Sequence, residues 1–175
     1  MFNSTQAKLS PISQSPLVKS GNDKYFLSEP ISKKEMYSLM LGLLEEDLHH
    51  PESLTTPELT KQYLHLKLAK LEHEVFSLIY LDTKNHVIAF EEMFRGTIDG
   101  VSVYVREVVK SCLNHNAAAL IMVHAHPSGI PEPSRNDIHI TNKLKKALEL
   151  IEVQVLDHFV VGGANSVSMA ERGLI

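Results

Sequence analysis

The sequence predicts a mixed α/β fold, a sheet flanked by helices in three layers. Strand-length apolar runs alternate with helical patterns along residues 71–175, which is the mark of an α/β arrangement. Residues 117–123 form an unbroken apolar run, as expected of a strand buried on both faces. A Pro/Gly-rich loop and a helix opening at Ser134 follow it directly, so strand, loop and helix read as one unit.

Each element has a local cause. Residues 1–30 are rich in Ser, Gln, Asn, Pro and Gly and read as a flexible arm. Residues 31–70 read as a helical extension. Ser32 and Glu35 have capping-box spacing, and Met36, Leu39, Met40, Leu43 and Leu44 form a helical stripe that ends at His49-His50-Pro51. Pro57 suits the first position of a second helix, whose Leu59, Leu64, Leu66 and Leu71 would pack on a sheet or a partner. The domain proper covers residues 71–175. It begins with a strand over 75–81, a turn at 82–85 and a partner strand over 86–94. A bend at 96–100 leads to a further strand over 101–104. Residues 106–115 form a crossover helix; after the 117 strand and the Ser134 helix come strands over 153–161 and 166–169 around a tight turn.

The composition excludes several classes. With 175 residues and 43 % hydrophobic content, the chain suits one domain with an appendage. Its net charge of −4 is no footprint for nucleic acid, which asks for a basic stripe. No run reaches the roughly eighteen apolar residues of a membrane span, and the N-terminus lacks the basic-then-apolar order of a signal peptide. The single Cys112 cannot form an internal disulfide and suits a reducing compartment. The expectation is a cytoplasmic protein with neither nucleic-acid nor membrane partner. Self-association through the helix from Ser32 is left open.

One constellation carries chemistry. His124 and His126 flank Ala125 at the end of the buried strand, and Asp137 follows in the first turn of the next helix. Side chains two apart on a strand share a face, so both imidazoles project together. Strand ends of this kind are where α/β sheets place ligands. Two imidazoles and a carboxylate are the ligand set of a catalytic zinc, which leaves a fourth position open for water. A competing structural reading is that Ser134 and Asp137 only cap their helix.

The spacing His-x-His, seven residues, Ser, two residues, Asp resembles the JAMM signature of the MPN/JAB metallopeptidases. His126-Pro127-Ser128-Gly129, Phe94-Arg95-Gly96-Thr97, Arg106-Glu107-Val108 and Leu156-Asp157-His158 resemble its RadC branch. The resemblance spans roughly residues 71–175 and departs at Ala125, where RadC members usually carry Asn. It implies Zn2+ held by His124, His126 and Asp137, and a Ser134 that helps to hold the tetrahedral intermediate. It also implies a glutamate general base on an earlier strand. Strand parity leaves Glu91 and Glu92 open; alignment to the family favours Glu91, so that Glu91→Gln should keep zinc and lose turnover. The expected activity is hydrolysis of a peptide or isopeptide amide in a protein or peptide substrate. A non-catalytic metal-binding scaffold and a DNA-repair-associated protein are the alternatives. A zinc deaminase is excluded, since it needs H-x-E with P-C-x-x-C. His158 is expected to orient a neighbour, and His139 to face away from the metal.

Overall fold

A computed structural model describes residues 16–20, 24–49, 57–68, 72–97 and 100–175. The chain divides into two compact units, Met1–Leu43 and Leu44–Ile175. In the first, β1 (Leu17–Ser20) pairs antiparallel with β2 (Lys24–Leu27). The described part of the expected arm therefore contains a pair of antiparallel strands. Alternating Val18, Lys19 and Ser20 face Lys24, Tyr25 and Phe26 across it, and such cross-strand pairs favour pairing over disorder. Helix α1 (Lys33–His49) opens on the expected capping box: Ser32 N–H donates to Glu35 Oε2 at 2.7 Å, and Glu35 N–H donates to Ser32 Oγ at 3.2 Å.

The second unit contains a five-stranded sheet. Helix α2 (Pro57–Leu68) precedes β3 (Val75–Leu81), β4 (Val87–Arg95), α3 (Val105–Asn114), β5 (Ala119–Ala125), α4 (Arg135–Glu149), β6 (Gln154–Gly162) and β7 (Asn165–Ser168). The strand order is β4-β3-β5-β6-β7, with β5 and β6 parallel and the other neighbours antiparallel. All seven residues of β3 and of β5 are buried, which explains their unbroken apolar runs.

The core lies mainly between the sheet and α3 and α4. Phe76, Leu78, Tyr80, Leu120 and Met122 meet Val108 and Cys112 of α3 and Leu144 and Leu148 of α4. Helix α2 covers the other face. Its Tyr63 packs edge-on against Phe90 at 5.8 Å, and the helix also touches β6 and β7. This is the expected three-layer arrangement. Helix α2, grouped by composition with the N-terminal extension, lies inside the compact sheet-containing unit. Its Tyr63, Leu64 and Leu68 are buried there, a burial that local composition does not reveal. Leu59 and Leu66 have side chains, and Leu71 a position, outside the described residues.

One expected strand is absent. Residues 101–104 carry a strand-like pattern but join no sheet. Val101 and Val103 pack against the core, while Tyr104 lies edge-on to Phe94 at 5.8 Å. Burial of alternate side chains needs only an extended backbone; a strand also needs a neighbouring ladder. Among the described residues no helix is long and apolar enough to cross a membrane.

Candidate metal centre

The centre forms where three chain segments meet. His124 and Ala125 end β5, and His126 follows at once, its N–H bonded to the Val161 carbonyl of β6 at 2.7 Å. This bond extends the sheet by one step and fixes the second imidazole. The loop from Pro127 then turns back against β6. A Cβ on Gly162 would lie 2.7 Å from backbone atoms of Gly129, Ile130 and Pro131, so only a glycine admits the loop that closely. Within this loop the Ile130 carbonyl accepts from His126 Nδ1 at 2.9 Å. Nδ1 is thereby the protonated nitrogen, and the Nε2 lone pair is left for a ligand.

Ser134 caps α4, and both readings of Asp137 hold together. Asp137 N–H donates to Ser134 Oγ at 3.1 Å, and Ser134 N–H donates to Asp137 Oδ2 at 2.7 Å. The other carboxylate oxygen lies 2.6 Å from His124 Nδ1, and Oδ2 is 3.8 Å from His126 Nε2. The capping box thus aims the carboxylate at the histidines. Beyond it, the Thr141 hydroxyl reaches both the Asp137 carbonyl and, at 2.7 Å, His158 Nδ1.

The sequence reading missed Glu74. Its Oε2 lies 3.0 Å from His124 Nε2. The donor atoms of Glu74, His124 and His126 all fall within 4.8 Å of one another, a group that can hold a metal ion. Glu74 N–H bonds the Thr97 carbonyl at 2.9 Å, and its carbonyl accepts from Gly96 N–H at 2.8 Å. The residue is therefore held one step beyond the first residue of β3. Its signal in the sequence is slight: an acid immediately before an apolar strand.

Glu91 and Glu92 are placed elsewhere. Glu91 lies opposite Leu78 on β4, and Leu78 lies opposite Met122. Two strand spacings separate its backbone from β5 by about 10 Å. Its Oε2 accepts from Tyr80 Oη at 2.8 Å and Ser111 Oγ at 2.7 Å, with His115 Nε2 at 3.5 Å. Glu92 pairs with Arg95 at 2.7 Å. The preference for Glu91 is corrected by this long-range pairing: β4 is separated from β5 by β3. His139 does not join the donor group, though it borders the same cavity as His124 and Asp137.

Electrostatics matches this geometry. Burial opposes the charged form of His124, yet Asp137 and then Glu74 outweigh it and raise the imidazole's pKa. Burial likewise opposes ionised Asp137, but the bonds from His124 and Ser134 hold its carboxyl well below the usual range. His158 is fully buried, and burial followed by repulsion from His124 depresses its pKa to about 3. It stays neutral, stacked 6.4 Å from the His124 ring, with Nε2 unpartnered.

A zinc ion with ligand bonds of 2.0–2.2 Å would hold tetrahedral donors roughly 3.3–3.6 Å apart. The separations of 3.0 Å between Glu74 and His124 and 3.8 Å between His126 and Asp137 bracket that range. The 2.6 Å contact of His124 with Asp137 is a hydrogen-bond distance. Glu74, His124 and His126 offer a donor set that fits a borderline divalent cation, whereas Asp137, expected as the third ligand, lies outside that group and meets the opposite nitrogen of the His124 ring.

The family model described as the RadC-like JAB domain matches residues 54–174. A UPF0758 protein of Nitrosococcus oceani is 53 % identical over 75 % of the chain, and one of Azotobacter vinelandii is 52 % identical over 74 %. The chain spans 59 % and 58 % of the lengths of these two relatives. A UPF0758 protein of Vibrio cholerae is 48 % identical over 86 % of the chain and 94 % of its own length. With its fold, its clustered acid and histidines and these similarities, the chain belongs to the RadC-like JAB domain family.

Proposed function

We propose that the chain is a zinc-dependent hydrolase of peptide or isopeptide amides. The observation that supports this most is the convergence of Glu74 with His124 and His126 within 4.8 Å, beside a carboxylate, Asp137, already fixed by its helix cap. His124 and His126 would hold the ion, and Asp137 would join them by leaving its contact with His124 Nδ1. Zinc bound there would supply Lewis acidity, polarising an amide carbonyl and acidifying water.

The protein's own groups then divide the work. Glu74 takes the role the sequence reading gave to Glu91. Its side chain keeps 14 % of its surface exposed, against 4 % for Asp137, so it is the carboxylate that solvent reaches. It removes a proton from water and returns it to the leaving amine. Ser134 Oγ accepts the Asp137 N–H and so keeps its own proton free to donate to oxygen charge developing on the carbonyl. The Ile130 carbonyl holds the His126 ring in orientation, and the Asp137 cap fixes the third ligand. Buried, unpaired Cys112 accords with a cytoplasmic, reducing setting.

The test is metal content followed by digestion of a peptide library with zinc-loaded protein, using Glu74→Gln as control. The reading expects cleavage by wild type and an intact library with the variant, which keeps its zinc. A metal-loaded wild type that leaves every amide intact would favour a metal-binding scaffold. Loss of zinc from Glu74→Gln would make Glu74 a ligand and remove it as the base.

A further inference from the structure

A cavity of about 350 Å³ opens beside His124 of the donor group, bordered also by Phe76 and Asp137. One wall is the extended segment 101–104. The other is the face of α4 that carries Asn136, His139 and Lys143, positions spaced by three and four and so aligned along one side of the helix. Among the described residues, the backbone N–H and C=O groups of Ser102 and Val103 have no partner. No carboxylate among them pairs with Lys143 or His139, whereas Glu107 on α3 is engaged by Lys110 at 2.8 Å. The outer part of the helix wall therefore carries one fixed cation, Lys143, with no carboxylate partner among the described residues, in a chain of net charge −4.

We propose that this cavity is the substrate groove, and that Lys143, with His139 beside it, selects an extended peptide bearing an acidic side chain near the bond to be cut. The proposal rests on reading the Glu74–His124–His126 group as a hydrolytic centre. The free backbone groups of Ser102 and Val103 suit the main chain of an extended guest, which would pair with them as an added strand. This is the ladder that the strand-like segment lacks. The distance sets the position of the acid. Lys143 follows Asp137 by six positions on α4, about 9 Å along the helix axis, and helical side chains lean back toward the N-terminus. An extended peptide advances about 3.3 Å per residue. The acidic side chain therefore falls two or three residues from the scissile amide. Electrostatic pairing at such a rim acts mainly on selection and capture.

The test uses fluorescein-labelled ten-residue peptides that differ only in carrying Glu, Gln or Lys at one position on either side of a central amide. Binding to the zinc-loaded full chain is read by anisotropy, and cleavage by mass spectrometry. Wild type is expected to bind the best Glu peptide about tenfold more tightly than its Gln counterpart, with the preference shrinking as salt rises. Lys143→Glu, a change at an exposed helix position, should reverse the preference toward Lys peptides. An unchanged preference in that variant overturns the proposal, as does binding that ignores charge. Cleavage without charge preference overturns the groove assignment and leaves the hydrolase reading intact. Charge-selective binding without cleavage overturns the hydrolase reading and, with it, the substrate role of the groove, leaving a peptide-binding face. No binding and no cleavage of any peptide overturns both.

Discussion

Glu74, just before β3, and Glu91, on β4, are carboxylates each in contact with a histidine, yet their surroundings give them different chemistry. Glu91 Oε2 accepts from Ser111 Oγ at 2.7 Å and shares the Tyr80 proton, at 2.8 Å, with Ser111, which lies 2.6 Å from Tyr80 Oη. The His115 ring lies stacked on Tyr80 at 4.2 Å. These hydrogen bonds tie α3 to β4 and close the cluster. Glu74 instead faces His124, whose other nitrogen meets Asp137, while His126, its Nδ1 held by the Ile130 carbonyl, has Nε2 3.8 Å from Asp137 Oδ2. Two carboxylates on one ring favour a proton, or a cation, between themselves and its nitrogens, and against burial they raise the imidazole's pKa. The difference teaches that a carboxylate closed in by hydroxyls acts as a structural tie, whereas one set among histidines and a second carboxylate is placed to exchange a proton or a cation.

The comparison can be broken most forcefully at the histidines. His124→Ala should abolish both zinc retention and hydrolysis, with metal per chain falling from near one to a small fraction by elemental analysis. A variant that still binds one zinc tightly would move the centre elsewhere. Next comes the carboxylate itself. Glu74→Gln should retain zinc and lower kcat about 10²–10⁴-fold, the usual scale of general acid–base catalysis.

Gly162→Ala tests the loop that holds His126. Its new methyl meets backbone, which cannot swing aside, so the loop must shift at a cost of about 1–3 kcal/mol. Because the displaced Ile130 carbonyl orients His126, zinc affinity should weaken by roughly 10–100-fold, as is common for partners of metal ligands. Competition with a chelating dye reads this directly, and unaltered affinity would show that the loop does not position the ligand.

Glu91→Gln has the smallest expected effect. Turnover should stay within a few-fold of wild type and stability should fall by about 1 kcal/mol, the net worth of an ordinary hydrogen bond. A large loss of kcat with zinc retained would restore Glu91 as the base. The pH dependence sharpens this. The Ser111 hydroxyl leads the groups that hold Glu91 below its ordinary pKa, against burial. A carboxyl lowered on folding contributes stability that is present above its unfolded pKa and is lost as pH falls through the folded one. The gap in Tm between wild type and Glu91→Gln should therefore narrow as pH drops below about 4.3, the unperturbed glutamate value.

Particular residues show how far the sequence could be read. The strand 75–81 and the Ser134 cap were visible because each is determined within a few neighbouring positions, by apolar continuity and by capping chemistry. The segment 101–104 misled for the same reason: its alternation is real, but a ladder partner is a matter of distant chain. Glu91 was chosen by proximity to a short motif, while Glu74 lies fifty positions before His124 in the chain. The parity of β4 could say which face a side chain takes but could not say which strand lies beside β5.

By itself, then, the sequence determined the kinds of donor and their local aim: two imidazoles on one strand face, a carboxylate turned inward by its own helix cap, and the glycine-bearing turn behind them. Only the tertiary structure decided which glutamate joins them, and that residues 101–104 line a groove rather than extend the sheet. The physical reason is that side-chain periodicity and capping act over three or four residues, whereas the order of strands in a sheet is set by burial and backbone pairing between segments far apart in the chain.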